Sequence, residues 1–230
     1  MTHNRPMLQN ALSTPLFSLN HANLDIGRTR ILHDISLEVH AGEKIVLIGP
    51  SGAGKSSLLE WLYQQQAGSI ALCPQASGLV DVLSSYQNIF MGGLERHGSI
   101  YNLWNLIRPH IADRQHITRL AADLGIADQL WKSVDQLSGG QRQRVAIGRA
   151  LFRQQPVFFG DEPVSALDPA QSEIILKLLI ERHQTLLVSL HNRRLALDHF
   201  DRVIALKHGR IQYDGPVSGL TSDALDGFYA

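Results

Sequence analysis

One stretch constrains this chain more than any other: Gly49-Pro50-Ser51-Gly52-Ala53-Gly54-Lys55-Ser56-Ser57. It fits G-x-x-x-x-G-K-[ST], the spacing of a loop that wraps phosphates. Glycines let the backbone turn and approach anionic oxygens without a Cβ penalty. The amides from Ser51 to Ser56, which follow Pro50, then form an inward-pointing nest. In that geometry Lys55 reaches the β- and γ-phosphates, and the Ser56 hydroxyl offers Mg²⁺ one hard oxygen. The flanks agree. Lys44–Ile48 is an apolar run suited to a buried parallel strand, and Ser56–Tyr63 reads as a helix with Leu58, Leu59 and Leu62 on one face. Strand, loop and helix in that order predict an α/β fold that binds a nucleotide.

The 230 residues are enough for one substantial core. Lys plus Arg and Asp plus Glu both number 21, a balance that argues against nucleic acid as a partner. The single cysteine, Cys73, sits in an apolar run and reads as a core residue. Met1 to Pro6 lacks the apolar region of a secretory leader, so the protein is expected in the cytoplasm.

Residues 1–15 are polar and read as a loose tail. Phe17–Asn20 and Ile31–Val39 read as strands of an antiparallel layer that precedes the parallel core, and Ile70–Cys73 as a short strand ending at Pro74-Gln75. Between Val80 and about Arg149 no strand is predicted. Asp81–Met91, Arg114–Leu124 and Ala127–Trp131 read as helices, with Gly92-Gly93 and Gly98-Ser99 as interruptions. The expected organisation is a core of residues 16–76 and 151–230 with a helical subdomain, 77–150, inserted.

Leu137-Ser138-Gly139-Gly140-Gln141 opens another helix, with Ser138 as N-cap and two glycines making a second anion-receptive helix start. Val157–Glu162 is an apolar strand that delivers Asp161 and Glu162 at its carboxyl end, where ligands of open α/β sheets sit. Asp161 is placed to hold Mg²⁺, and Glu162 to polarise a water. Asp168 precedes Pro169 as a helix cap. Thr185–Leu190 is a further buried strand with His191 at its end, followed by a helix near Arg193–Phe200 and a hairpin turning at His208-Gly209.

Together and in this order, these motifs resemble the ATP-binding subunit of an ABC transporter. The resemblance spans about residues 17–216. Gly49–Ser57 is similar to the Walker A loop, Gln75 to the Q-loop glutamine and Leu137–Gln141 to the LSGGQ signature. Asp161-Glu162 resembles the Walker B end with its catalytic glutamate, Ser165–Asp168 the D-loop, and His191 the switch histidine. The fold this implies is a P-loop ATPase core, a mainly parallel sheet flanked by helices, with a shortened antiparallel β subdomain and an inserted helical subdomain. The resemblance implies ATP and Mg²⁺ as cofactors, with Ser56, Gln75 and Asp161 on the metal and with Lys55, Gln75, Glu162 and His191 in catalysis. It further implies a head-to-tail dimer in which Ser138, Gly139, Gly140, Gln141 and Asp168 of one copy complete the ATP site of the other. Partners follow: a second copy, integral-membrane permease subunits on the inner face of the membrane, and indirectly a substrate-binding protein. The stretches Phe159–Pro169 and Ser189–Leu197 look most like importer subunits of phosphonate or phosphate-type systems. An ABC-type ATPase serving a soluble enzyme or regulatory complex is the alternative. A small-molecule kinase fits less well, because the second anion site has no use there.

Two departures from the family stand out. Lys55 and Gln75 are only 20 positions apart, which predicts an abbreviated β segment. The stretch Asp25-Ile26-Gly27-Arg28 lacks the aromatic on which the family stacks adenine, leaving Ile26 or Arg28 near the base. Tyr101 and Trp104 are read as packing inside the helical insert, with a partner surface as the other possibility.

Overall fold

The computed structural model describes residues 14–220 and 227–228, so the predicted tail falls almost wholly outside the described residues. The chain begins with a hairpin, β1 (Phe17–Ile26) and β2 (Thr29–Val39), that pairs antiparallel as a separate two-stranded sheet. The short antiparallel layer is thus as expected. A second sheet carries β3 (Lys44–Ile48), β4 (Ile70–Cys73), β5 (Val157–Asp161), β6 (Thr185–Ser189), β7 (Arg202–Lys207) and β8 (Arg210–Pro216). Its strand order is β4-β5-β6-β3-β7-β8, parallel throughout except for the β7–β8 hairpin.

Strand β5 shows why the sheet is buried on both sides. Side chains alternate across a strand, so Phe158 joins the core beneath the helical block while Phe159 packs with Phe17 of the hairpin, ring centroids 5.4 Å apart. Both rings are fully buried, and each contributes about 1.5–3 kcal/mol. Helix α1 (Lys55–Gln65) covers the hairpin side through Leu58, Leu59 and Leu62.

The block between β4 and β5 holds α2 (Ser85–Phe90), α3 (Ser99–Ile107), α4 (Ile111–Asp123) and α5 (Gly139–Phe152). Two expected helices are corrected here. The first helix begins at Ser85 and not Asp81, because Ser84 and Gln87 form a reciprocal capping box. The stretch expected as a helix from Ala127 is a 3₁₀ turn, Ala127–Gln129, whereas Gly92-Gly93 interrupts the α-helices as expected, within a 3₁₀ turn from Met91 to Arg96. Gly98-Ser99 starts a helix, Gly98 serving as N-cap in an extended conformation.

Helix α3 is inverted in polarity. Asn105 is buried, whereas Ile100, Leu103, Trp104 and Ile107 are exposed. Tyr101 packs inward between His97 and His110 and donates to Asp113 Oδ2 at 2.8 Å, while Trp104 faces out. Helices α6 (Pro169–Arg182), capped by Asp168, and α7 (Arg193–His199) flank β6 in the chain, before the closing β7–β8 hairpin. Among the described residues no helix is long and apolar enough to cross a membrane.

Candidate functional site

Four parallel strands end at one edge of the sheet, and that edge gathers the site. After β3 the chain turns through Gly49 at φ 138°, Gly52 at φ 77° and Gly54 at φ 102°. A Cβ on Gly49 would lie 2.0 Å from the Leu206 carbonyl oxygen, so β7 permits only glycine there. Gly54, left-handed, is the N-cap of α1, and no side chain caps that helix. Its first-turn amides and positive dipole end face the loop, the arrangement that receives anionic oxygens.

Lys55 is buried, and its Nζ donates to the carbonyl oxygens of Gly49 at 2.8 Å and Pro50 at 3.0 Å. Desolvation pushes its pKa down, opposed by the nearby charges of Glu162 and Asp161. Those carboxylates favour the ammonium form.

A cavity of about 320 Å³ joins these parts. It is lined by Ser51 to Ser57 together with Ile31, Gln75, Glu162 and His191. The short segment between Lys55 and Gln75 therefore still brings the glutamine to the loop, because β4 lies at the sheet edge beside β5. Ile31 lines the cavity and Ile26 does not; Ile26 sits at the hairpin tip, 58% exposed.

Asp161 and Ser189 are directly paired in the β5–β6 register, and the Ser189 hydroxyl donates to Asp161 Oδ1 at 2.6 Å. Ser189 Oγ in turn accepts from the Glu162 amide at 2.9 Å. Glu162 itself has φ 52°, a left-handed backbone that is uncommon for a residue with a Cβ and frequent at functional sites. Its Oε1 lies 2.6 Å from His191 Nε2, which holds the carboxylate at the cavity wall. Ser189 and Gln143, which accompany Glu162, were not singled out from sequence. Ser189 was legible only as an apolar strand's last residue, and Gln143 only as a polar helix position.

Ser138, Gly139, Gly140 and Gln141 do not line this cavity. Ser138 and Gln141 satisfy each other as a capping box, Ser138 and Gly139 are exposed, and Gly140 abuts the Ala166 carbonyl. Asp168 caps α6 by accepting the Gln171 amide at 3.0 Å and is also outside the cavity. The structure thus splits the predicted residues into two surfaces.

The donor set fits a polyphosphate with Mg²⁺. Among the described residues no cluster of three His, Cys, Asp or Glu side chains forms a self-sufficient metal cage. Ser56 and Gln75 line the cavity and Asp161 ends β5 beside Glu162, a set of hard oxygens that would suit an ion keeping phosphate and water ligands.

Residues 32–165 match the family model described as ABC transporter. The chain belongs to the ABC transporter family. It is 36% identical over 241 residues to the phosphonates import ATP-binding protein PhnC of Pseudomonas entomophila, covering 92% of this chain and 90% of that one. A second PhnC, from Pseudomonas aeruginosa, is 40% identical over 230 residues, covering 87% and 85%. Among solved structures, a dimeric bacterial ABC transporter cassette superposes with a TM-score of 0.74 at 24% identity, covering 88% of this chain and 99% of that one. A nucleotide-free ATP-binding cassette gives 0.70 at 19% identity, with 91% and 92% covered. These neighbours share the α/β P-loop ATPase fold. As a member of this ABC family, the chain is a Mg²⁺-dependent ATPase.

Proposed function

We propose that this ABC subunit powers a membrane importer of phosphonates or closely related anions, working as a head-to-tail dimer. Each ATP would lie between the Gly49–Ser57 loop of one copy and Ser138, Gly139, Gly140 and Gln141 of the other, with Asp168 at the joint. The observation that carries the reading is the split of the motif residues onto two separate surfaces of one chain. A second copy turned head to tail brings those surfaces together. The substrate class is supported by the full-length likeness to the phosphonates import proteins.

Within each site Glu162 is the general base. It takes a proton from the water that attacks the γ-phosphorus in line, the bond from phosphorus to the β,γ-bridging oxygen breaks, and ADP leaves. Lys55 and the loop amides bind the charge that develops on the phosphate oxygens. His191 orients the Glu162 carboxylate, and Gln75, which lines the same cavity, would help hold Mg²⁺. The helical subdomain, residues 77–150, connects the core to permease subunits on the cytoplasmic face, with a substrate-binding protein delivering cargo outside.

The test uses Glu162→Gln, Lys55→Ala and the parental chain. With ATP, Glu162→Gln should run as a dimer in size-exclusion chromatography with light scattering and co-purify a polytopic membrane protein from solubilised membranes. Lys55→Ala should do neither. Deleting the chromosomal copy should abolish growth on a phosphonate as sole phosphorus source, and Lys55→Ala should not restore it. Soluble enzymes alone in the eluate, with normal growth of the deletion strain, would overturn the importer reading.

A further inference from the structure

We propose that Gln143 is a positioning residue that ties the signature helix to the backbone carrying the general base. Gln143 lies on α5, the helix that begins at the exposed Ser138 end. Its Nε2 donates to the Glu162 carbonyl oxygen at 2.8 Å, and its Oε1 accepts the Ala166 amide at 2.7 Å. One amide side chain therefore fixes both ends of the turn that follows β5. Ser165 Oγ also donates to the Glu162 carbonyl, at 3.0 Å.

This grip has a reason. A left-handed backbone is costly for glutamate and persists only where its surroundings over-determine it. Glu162 is pinned on its amide side by Ser189 and on its carbonyl side by Gln143 and Ser165. Releasing the carbonyl lets the peptide relax toward the ordinary right-handed or extended region, and that rotation swings the carboxylate away from the cavity wall.

The helix that supplies Gln143 is itself anchored. Arg142 pairs with Asp81 at 2.7 Å, Arg144 donates to the Leu124 and Gly125 carbonyls, and Arg149 donates to the Ser77 and Gly78 carbonyls beyond Gln75. A shift of the Ser138 end therefore reaches Glu162 through Gln143. The inference rests on the proposed reading, in which Ser138 meets the ATP of the second copy while Glu162 serves the ATP of its own. Under that reading Gln143 makes the base of one ATP site sensitive to occupancy of the other.

The experiment measures steady-state Mg²⁺-ATPase kinetics of the full chain for the parental protein, Gln143→Ala, Gln143→Glu and Glu162→Gln from pH 8 to pH 5.5. Gln143→Ala should lower kcat about tenfold, the scale of two neutral hydrogen bonds, with KM for ATP changed less than about twofold. Gln143→Glu keeps the shape and the acceptor but loses the donor until its carboxyl is protonated. Its kcat relative to the parental protein should therefore rise at least about twofold as pH falls to 5.5. Every other group around the turn is the same in both chains, so the ratio isolates the substituted side chain.

Parental kcat in both Gln143 variants would overturn the proposal. So would an equal loss in both at every pH, which marks a purely structural role. If Gln143→Ala fails to fold, the isosteric Gln143→Glu carries the test alone. Parental turnover by Glu162→Gln would instead sink the general-base reading, which makes the two failures distinguishable.

Discussion

Ser189→Ala is the sharpest probe of how the catalytic carboxylates are held. The Ser189 side chain is fully buried, so no water replaces its hydroxyl. The substitution removes a 2.6 Å bond to the Asp161 carboxylate and a 2.9 Å bond from the Glu162 amide. A bond to a charged group is worth about 1.5–3 kcal/mol and a neutral one about 0.5–1.5, giving roughly 2–4 kcal/mol. That is a large share of the roughly 5–15 kcal/mol that holds a domain of this kind together. For a chain of this size it corresponds to a fall in Tm of roughly 5–15 °C. Urea unfolding monitored by circular dichroism measures it, with the m-value checked for constancy. Ser172→Ala is the calibrator, because Ser172 is also buried but donates to the neutral Val164 carbonyl at 3.2 Å. Its loss should be about 1 kcal/mol. If Ser189→Ala costs no more than Ser172→Ala, the β5–β6 bonds do not brace the site and the account given for Glu162 fails.

Three further outcomes follow from particular positions. Gly49→Ala should cost on the order of 3–5 kcal/mol or leave no soluble protein, since its Cβ would lie 2.0 Å from the Leu206 carbonyl; a Tm within a few degrees of parental would contradict this. Cys73 is buried and its thiol is pushed up to about 12, chiefly by desolvation, so it should resist a thiol-reactive chromophore at pH 8 until urea unfolds the chain. Rapid labelling of the native protein would refute that burial. His183 is buried against Phe158, and desolvation holds its pKa below 6.5 despite its bond to the Leu179 carbonyl. Below about pH 6.5 the unfolded chain binds a proton that the folded chain refuses, so stability should fall as pH drops toward 5. His183→Gln should flatten that slope, and an unchanged slope would assign it to other groups.

Much of this protein was legible in its sequence because the decisive signals are local. Glycine spacing fixes the phosphate loop, Asp168-Pro169 caps α6, and the apolar runs of β3, β4, β5 and β6 announce buried parallel strands within a residue of where they lie. Helix α3 was not read although Ile100, Leu103, Trp104 and Ile107 recur at helical spacing; that this apolar stripe is exposed while Asn105 is buried was not legible from sequence. The 3₁₀ turns escaped because they obey neither helical nor strand spacing.

The sequence by itself determined which residue types follow the strands and are proposed for the site: the loop glycines, Lys55 and Ser56 after β3, Gln75 after β4, Asp161 and Glu162 at the end of β5, and His191 after β6. Tertiary structure alone decided that β4, β5, β6 and β3 lie side by side, so that groups far apart in the chain line one cavity. It also decided that Ser189 and Gln143 clamp the peptide of Glu162 in a left-handed turn, and that Ser138 to Gln141 face away from the cavity. The physical reason is range: spacing and propensity act over a few residues, whereas strand order and register are set by the burial of both faces of the whole sheet.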